Sequence, residues 1–429
     1  MKKLKAIVIG AGSRGMCYSS KMLEYPDKFE VVAVAEPMGY KRRQLQKMYG
    51  IPDEMCFESW EPLTELGRIA DFAVIATPDR LHYAPAMKAI SLGYDLLLEK
   101  PMAPTERECV EIANAAREKG VKVVVCHVLR YAPMFIAIKD IIDKGELGEI
   151  ISVNHEECVG NVHQSHSFVR GNWGNSERSS TMLLQKSCHD LDILQWLLGK
   201  ECKKIQSFGK LTHFKAENAP EGAPERCTDG CPHESSCPYS TLKLYLNSKD
   251  DHWFRPAAAH SVERENFVPT NEDVLKALQT TQYGKCVYKC DNDVVDHQTV
   301  NMLFEDDVTV TFTMNAFNEG GRYIHIMGTK GELRAAMKGN APIEITDIMT
   351  KEKRTVDSAA RDGILGGHGG GDDRIILALH DYFTEGNGKE NITEADISCR
   401  NHMLVFAAER SRETGETVDV AEFMREYGL

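Results

Sequence analysis

The chain has 429 residues, 42% of them hydrophobic and 27% charged, with a formal net charge of −13. That length suits two domains, each with its own core. The acidic balance, without a long basic stretch, argues against nucleic acid or an anionic membrane surface as the main partner. No apolar run reaches the roughly 18 residues that span a bilayer.

The opening MKKLKAIVIGAG carries an apolar stretch too short for a secretory leader. The 13 cysteines, an odd number spread over a long chain, read as mostly reduced thiols. The expected location is the cytoplasm.

Residues 1–127 alternate. KLKAIVIG, EVVAVAE, DFAVIATP, YDLLLEKP and VKVVVCH are short apolar runs rich in Val, Ile and Leu. Helix-like segments such as PTERECVEIANAAREKG lie between them. Such alternation predicts a parallel, doubly wound sheet buried on both faces. The first run ends in GAGSRG, residues 10–15. Gly10 suits a tight turn, Gly12 a close approach to pyrophosphate, and Gly15 tight helix–strand packing. Ser13 and Arg14 complete the loop, and the following helix offers unpaired N–H groups to phosphates. The second run ends at Glu36, a carboxylate able to accept the adenosine ribose hydroxyls and to repel a 2′-phosphate. That favours NAD. Lys41, Arg42 and Arg43 follow, so NADP stays open, although a solvated helix face accounts for at least two of them. The fourth run finishes on Glu99, Lys100 and Pro101, at the strand end where ligands of such sheets bind. A structural salt bridge is the other reading of this charged pair.

From residue 128 to 429 the pattern changes to strands at hairpin-like spacing, as in EIISVNHEECVG, VTVTFTMNAF and RYIHIMGTKGEL. TMLLQKSCHDLDILQWLLGK reads as an amphipathic helix with His189, Asp192 and Trp196 on one face. A histidine with a carboxylate one turn away suits a general base. ERCTDGCPHESSCPYS brings Cys227, Cys231, His233 and Cys237 together. These side chains suit a structural zinc, with His233, Cys286 or Cys290 as the fourth ligand; a reduced loop or a redox-labile pair is the alternative.

The ordered set ATPDRLHYAPAMKAISLG, LLLEKPMAPT, VVVCHVLRYAPMFIAIKDIIDKGELGEI and KSCHDLDILQWLLG resembles the Gfo/Idh/MocA family of nicotinamide-dependent oxidoreductases. The likeness runs over the whole chain and is most specific over residues 5–150. It implies an N-terminal NAD(P)-binding Rossmann domain. It also implies a C-terminal α+β domain, for substrate and oligomer contacts, with a large, mostly antiparallel open sheet and a cysteine-rich insertion at about 215–245. By this resemblance Lys100 and His189 are catalytic, with Asp192 behind His189. Thr77, Pro78, His82, Glu99 and His127 line the cofactor cleft. Arg130, Tyr131, Arg170, Trp173, Lys186, Asp296, His297 and His368 are the substrate-contact candidates. Relatives acting on sugar alcohols carry an aspartate four residues before the catalytic histidine, and here that position is Gln185. The expected activity is hydride transfer between a nicotinamide and a secondary hydroxyl of a sugar, polyol or glycoside, in a homodimer or homotetramer. The alternatives are a redox-neutral NAD-dependent glycoside hydrolase and a non-catalytic dinucleotide sensor.

Overall fold

The structure is a computed structural model that describes residues 2–247, 254–265, 268–339, 341–357, 370–386 and 391–429. Its first part runs β1 (Leu4–Ile9), α1 (Ser13–Leu23), β2 (Phe29–Ala35), α2 (Gly39–Tyr49), β3 (Cys56–Phe57), α3 (Trp60–Glu65), β4 (Phe72–Ile75), α4 (Tyr83–Ser91), β5 (Asp95–Leu98), α5 (Glu106–Lys119) and β6 (Val123–Val125). The six strands form one parallel sheet in the order β3-β2-β1-β4-β5-β6. The five apolar runs are β1, β2, β4, β5 and β6. The two-residue edge strand β3 has no such run to announce it.

The second part follows with α6 (Pro133–Asp143), β7 (Ile150–Cys158), the single turn α7 (Asn161–His163), α8 (Met182–Leu198) and β8 (Cys202–Lys210). Next come α9 (Phe254–Ala259), α10 (Asn271–Thr280), β9 (His297–Phe304), β10 (Thr309–Asn315), β11 (Gly321–Gly328), β12 (Gly331–Met337), β13 (Ile343–Asp347) and β14 (Lys353–Val356). The chain closes with α11 (Gly371–Glu385), α12 (Ala395–Thr414), β15 (Val418–Asp419) and α13 (Val420–Arg425). Among the described residues the second sheet has nine strands, ordered β14-β13-β12-β11-β7-β10-β9-β8-β15. Only β7 and β10 pair in parallel; the other neighbours are antiparallel.

Two features of this fold position the site. Helix α8 is buried along most of its length, because it is packed against β7, α6 and α12. Thr181 caps its start by accepting the Leu184 N–H, and Gly199 (φ 61°) ends it in the left-handed region. The second feature is a return of the chain. Ile375, Ile376 and Leu379 of α11 share a core with Val8, Val74 and Val124 of the first sheet, and Val125 N–H donates to the Thr393 carbonyl at 2.9 Å. Late sequence therefore completes the unit built on the first sheet. No helix among the described residues is long and apolar enough to cross a membrane.

Candidate active site

The glycine loop has the form its spacing implies. Gly10 turns at φ +93°, and a Cβ there would stand 2.6 Å from the Ala76 carbonyl oxygen. A Cβ on Gly15 would fall 1.9 Å from the Gly10 carbonyl oxygen, whereas one on Gly12 would meet nothing within 4 Å. The backbone at Gly12 thus faces open space at the start of α1, whose first turn has no side-chain cap and no acid. Ser13, the first residue of α1, is exposed there. Glu36 is buried. Its carboxylate accepts the Ala11 N–H at 2.8 Å and the Met38 N–H at 3.0 Å. Each oxygen keeps a further lone pair, so the carboxylate shapes the loop and can still accept ribose hydroxyls. A cradle open at Gly12, with a carboxylate at the end of β2, fits a dinucleotide.

Arg14 and Glu99, expected at the cofactor, hold each other. Arg14 Nε donates to Glu99 Oε1 at 2.7 Å, and its Nη2 donates to Tyr18 Oη at 2.7 Å and to Asp372 Oδ1 at 2.6 Å. Glu99 Oε2 accepts the Lys100 backbone N–H at 2.7 Å. Burial works against the Glu99 charge, but Arg14 and Lys100 outweigh it and hold the carboxyl below its ordinary range. His82 is also a tie: its two ring nitrogens lie 2.8 Å from the Pro101 and Thr77 carbonyl oxygens. It links the loop after β4 to the loop after β5. Thr77 donates to the Leu81 carbonyl at 2.8 Å, and Pro78 is exposed at the rim.

Freed from Glu99, the Lys100 ammonium reaches across to α8 and donates to the Gln185 carbonyl at 2.7 Å. In a helix that carbonyl lies one turn before residue 189. His189 is buried, with its ring edge-on to His127 at 5.8 Å between centroids. Lys100, at the end of β5, thus reaches the helix that carries His189.

Asp192 needs correction as the partner of His189. It is fully buried and bidentate with Arg130, at 2.8 Å from Nε and 2.7 Å from Nη2. Asn401 Nδ2 also donates to it, and His127 Nδ1 lies 3.7 Å away. Burial opposes its ionisation, yet Arg130 and His127 keep its carboxyl below the ordinary value. The unit formed by Arg130, Asp192 and Asn401 is a support behind the site. His127 bridges it to α12 through Ser398 Oγ at 3.0 Å, and burial pulls His127 down to about 4.

Lys186, on α8 next to Gln185, is held by an ion pair. Its Nζ lies 3.1 Å from Glu157 Oε1. Burial lowers its pKa, with Glu157 opposing and Arg322 and Lys100 adding to the fall. Glu157 also takes Arg322 Nε at 2.6 Å; Arg322 reaches Asp190 at 2.8 Å, and Asp190 meets His155 Nε2 at 2.9 Å. Glu157, Asp190, Arg322 and His155 were not anticipated. One signal was legible: Val153, His155 and Glu157 alternate along β7 on its buried face, where two polar side chains are unusual.

The remaining described substrate candidates have structural partners of their own. Arg170 is buried and holds the Lys285 and Tyr239 carbonyls, each at 2.8 Å. Tyr131 is in the core, and Trp173 stacks on Phe168 at 5.9 Å. Asp296 accepts the Thr212 and His213 N–H groups at 2.9 and 2.7 Å, with His297 beside it at 2.9 Å. These hold turns of the second domain. Of the basic residues after Glu36, Arg42 pairs with Glu58 at 3.1 Å, and Arg43, on the exposed face, with Glu263 at 3.3 Å. His368 lies outside the described residues.

The zinc expectation is not met. Cys227, Cys231, Cys237 and Cys286 line one small cavity, but no group of three or more His, Cys, Asp or Glu among the described residues is placed to hold a metal ion. His233 Nε2 is taken by the Glu221 carbonyl at 2.8 Å, and Cys290 Sγ donates to the Cys286 carbonyl at 3.3 Å. Burial raises the Cys237 and Cys286 thiols, which favours the protonated form over the thiolate a metal needs.

Comparison with known proteins agrees with the two-part fold. The family profile described as "Oxidoreductase family, NAD-binding Rossmann fold" (GFO_IDH_MocA) matches residues 4–127, and its companion "Oxidoreductase family, C-terminal alpha/beta domain" matches residues 139–420. YteT from Bacillus subtilis (strain 168), named only as an oxidoreductase, is 24% identical over 79% of this chain and 78% of its own. An inositol 2-dehydrogenase of Pseudarthrobacter chlorophenolicus is 28% identical over 57% of this chain and 68% of its own. The crystal structure of an aldose–aldose oxidoreductase from Caulobacter crescentus complexed with glycerol superimposes with a TM-score of 0.67 at 15% identity, covering 97% of this chain and 100% of that one. At that identity the superposition speaks for the fold.

Proposed function

The chain belongs to the Gfo/Idh/MocA oxidoreductase family, and from that premise we propose that it oxidises a secondary alcohol of a sugar or polyol, or reduces the corresponding ketone. The nicotinamide, when bound, takes or gives the hydride. One observation carries the reading: the Lys100 ammonium reaches the Gln185 carbonyl at 2.7 Å, one helical turn before His189. A hydroxyl gives up hydride readily only while its proton is being removed, so a base must stand within hydrogen-bond reach of the oxygen. Lys100 and His189 approach such an oxygen from the two domains. The Lys100 charge stabilises a developing alkoxide, and His189 is the proton acceptor. The inositol and aldose relatives support a polyhydroxylated substrate. NAD is favoured over NADP by Glu36. The outer face of the second sheet, with Ile151 and Phe208 exposed, is the surface through which a homodimer or homotetramer would form.

A second reading is favoured by Lys186. A redox-neutral glycosidase oxidises C3 of a glycoside transiently, which makes the C2 proton acidic, so elimination needs a further base and a recycled cofactor. Lys186, neighbour of Gln185 on α8 and paired with Glu157 at 3.1 Å, is the candidate for that base, and burial lowers its pKa. The test is a panel of inositols, aldoses and aryl glycosides with added NAD. Net NADH supports the dehydrogenase; aglycone without net NADH supports the glycosidase; neither product from any carbohydrate defeats both.

A further inference from the structure

Helix α2 starts three residues after Glu36 with no cap of its own: Met38 makes no side-chain bond there, and the first turn carries no acid. The anion comes from far along the chain. Glu263 Oε1 accepts the Tyr40 N–H at 2.9 Å and pairs with Arg43 Nη2 at 3.3 Å. A carboxylate at a helix N-terminus satisfies an open amide and complements the dipole. The fit is close, because a Cβ on Gly39 would stand 3.1 Å from Glu263 Oε1.

Glu263 is one of several fasteners. The Arg264 guanidinium lies over the Tyr40 ring at 4.3 Å, with its Nη1 on the Ala259 carbonyl at 2.8 Å, and the residue is buried. Tyr40 Oη donates to the His260 carbonyl at 3.4 Å, and the two rings meet edge-on at 6.4 Å. Lys41 is drawn into the same place. Burial lowers its pKa, with Glu36 opposing and Arg264 adding to the fall. Burial, with Lys41 and Arg264, brings His260 down to about 4.

The space beyond the carboxyl end of β2 is where a carboxylate such as Glu36 meets the adenosine ribose. We infer that residues 254–264 form a strap from the second domain that walls the adenosine subsite of a nicotinamide dinucleotide and slows its release, with Glu263 and Arg264 as the fasteners. The strap rests on the dinucleotide reading of the Glu36 loop. It concerns only the adenosine half, so it is separable from the chemistry at Lys100.

The experiment measures NADH dissociation from the full-length protein by displacement, and equilibrium binding of ADP-ribose, in the parent, Glu263→Ala and Arg264→Leu. ADP-ribose has the adenosine half and no nicotinamide. The expected result is release faster by about tenfold, with a matching loss of ADP-ribose affinity, since effects of this kind fall mainly on the off-rate. Unchanged release and affinity in both variants, beside a parent that binds, would overturn the strap alone. A parent that binds neither ligand would overturn the dinucleotide reading and the strap with it. Should the variants fail to fold, hydrogen exchange on the parent decides: slowing across 254–264 on addition of ADP-ribose supports the strap, and no change overturns it.

Discussion

Arg14 and Glu99, 85 residues apart, meet at 2.7 Å, whereas Lys100, adjacent to Glu99, sends its ammonium to α8. The glycine loop and the end of β5 are thus locked together from beneath, and the lysine is left for the cleft. Removing one partner of a buried pair typically costs about 3–5 kcal/mol. Arg14 keeps Asp372 and some exposure, so Glu99→Ala is expected near the low end, about 3 kcal/mol. Urea unfolding of parent and variant checks this. A loss within about 1 kcal/mol would place the pair with exposed surface bridges.

Glu36 has two tasks. It accepts the Ala11 and Met38 amides, and it is proposed to select the cofactor. NAD is expected to bind more tightly than NADP by about tenfold or more, the equivalent of one hydrogen bond to a charged group. Glu36→Ala is expected to weaken NAD binding and to narrow the gap. Calorimetric titration of both cofactors reads it. Equal affinities in the parent would shift attention to Lys41 and Arg264.

His402 of α12 pins the chain just beyond Lys100. Its Nε2 accepts the Met102 N–H at 2.9 Å, and its Nδ1 lies 2.8 Å from the Ser398 carbonyl oxygen. Only the neutral ring with its proton on Nδ1 satisfies both. Burial lowers His402 to about 3 and His127 to about 4, against about 6.5 in the unfolded chain. Between those values the unfolded state binds more protons, so stability rises with pH there. It is held in full above about pH 6.5 and lost as pH falls toward 3. Thermal unfolding at about pH 7 and about pH 4.5 should show the decline, and His402→Gln should flatten it. An identical slope in the variant would remove His402 from the cause.

The sequence made legible what is local or strongly periodic. The glycine spacing, the apolar strands, and α8 with His189 and Lys186 on it all leave a pattern within about 20 residues. Pairings across long separations leave none. Arg322 is 132 residues from Asp190, and Asn401 is 209 from Asp192. A helix face therefore suggested that Asp192 serves His189, while Arg130 in fact claims the carboxylate. Arg170 was a substrate-contact candidate by resemblance; its role in holding the Tyr239 and Lys285 carbonyls depends on loops far along the chain. The cysteines suggested a ligand set by composition alone, and spacing could not show where His233 points.

The chemistry itself is testable in single turnover. Lys100→Met removes the charge at the end of β5 and its bond to Gln185. His189→Ala removes the acceptor proposed on α8. Loss of a positioned general base typically costs roughly 100- to 10,000-fold in rate, so each variant is expected to lose hydride transfer by that order. His189→Ala should keep its NAD affinity, because the loop at Gly12 and the Glu36 carboxylate belong to the first sheet. Lys186→Met is the informative third variant. Its ammonium is held by Glu157, so in a simple dehydrogenase its loss should weaken substrate binding more than hydride transfer. The measurement is nicotinamide absorbance in the first turnover, with cofactor saturating. If His189→Ala transfers hydride at nearly the parental rate while Lys186→Met does not, the base is Lys186, and α8 acts through the residue beside Gln185.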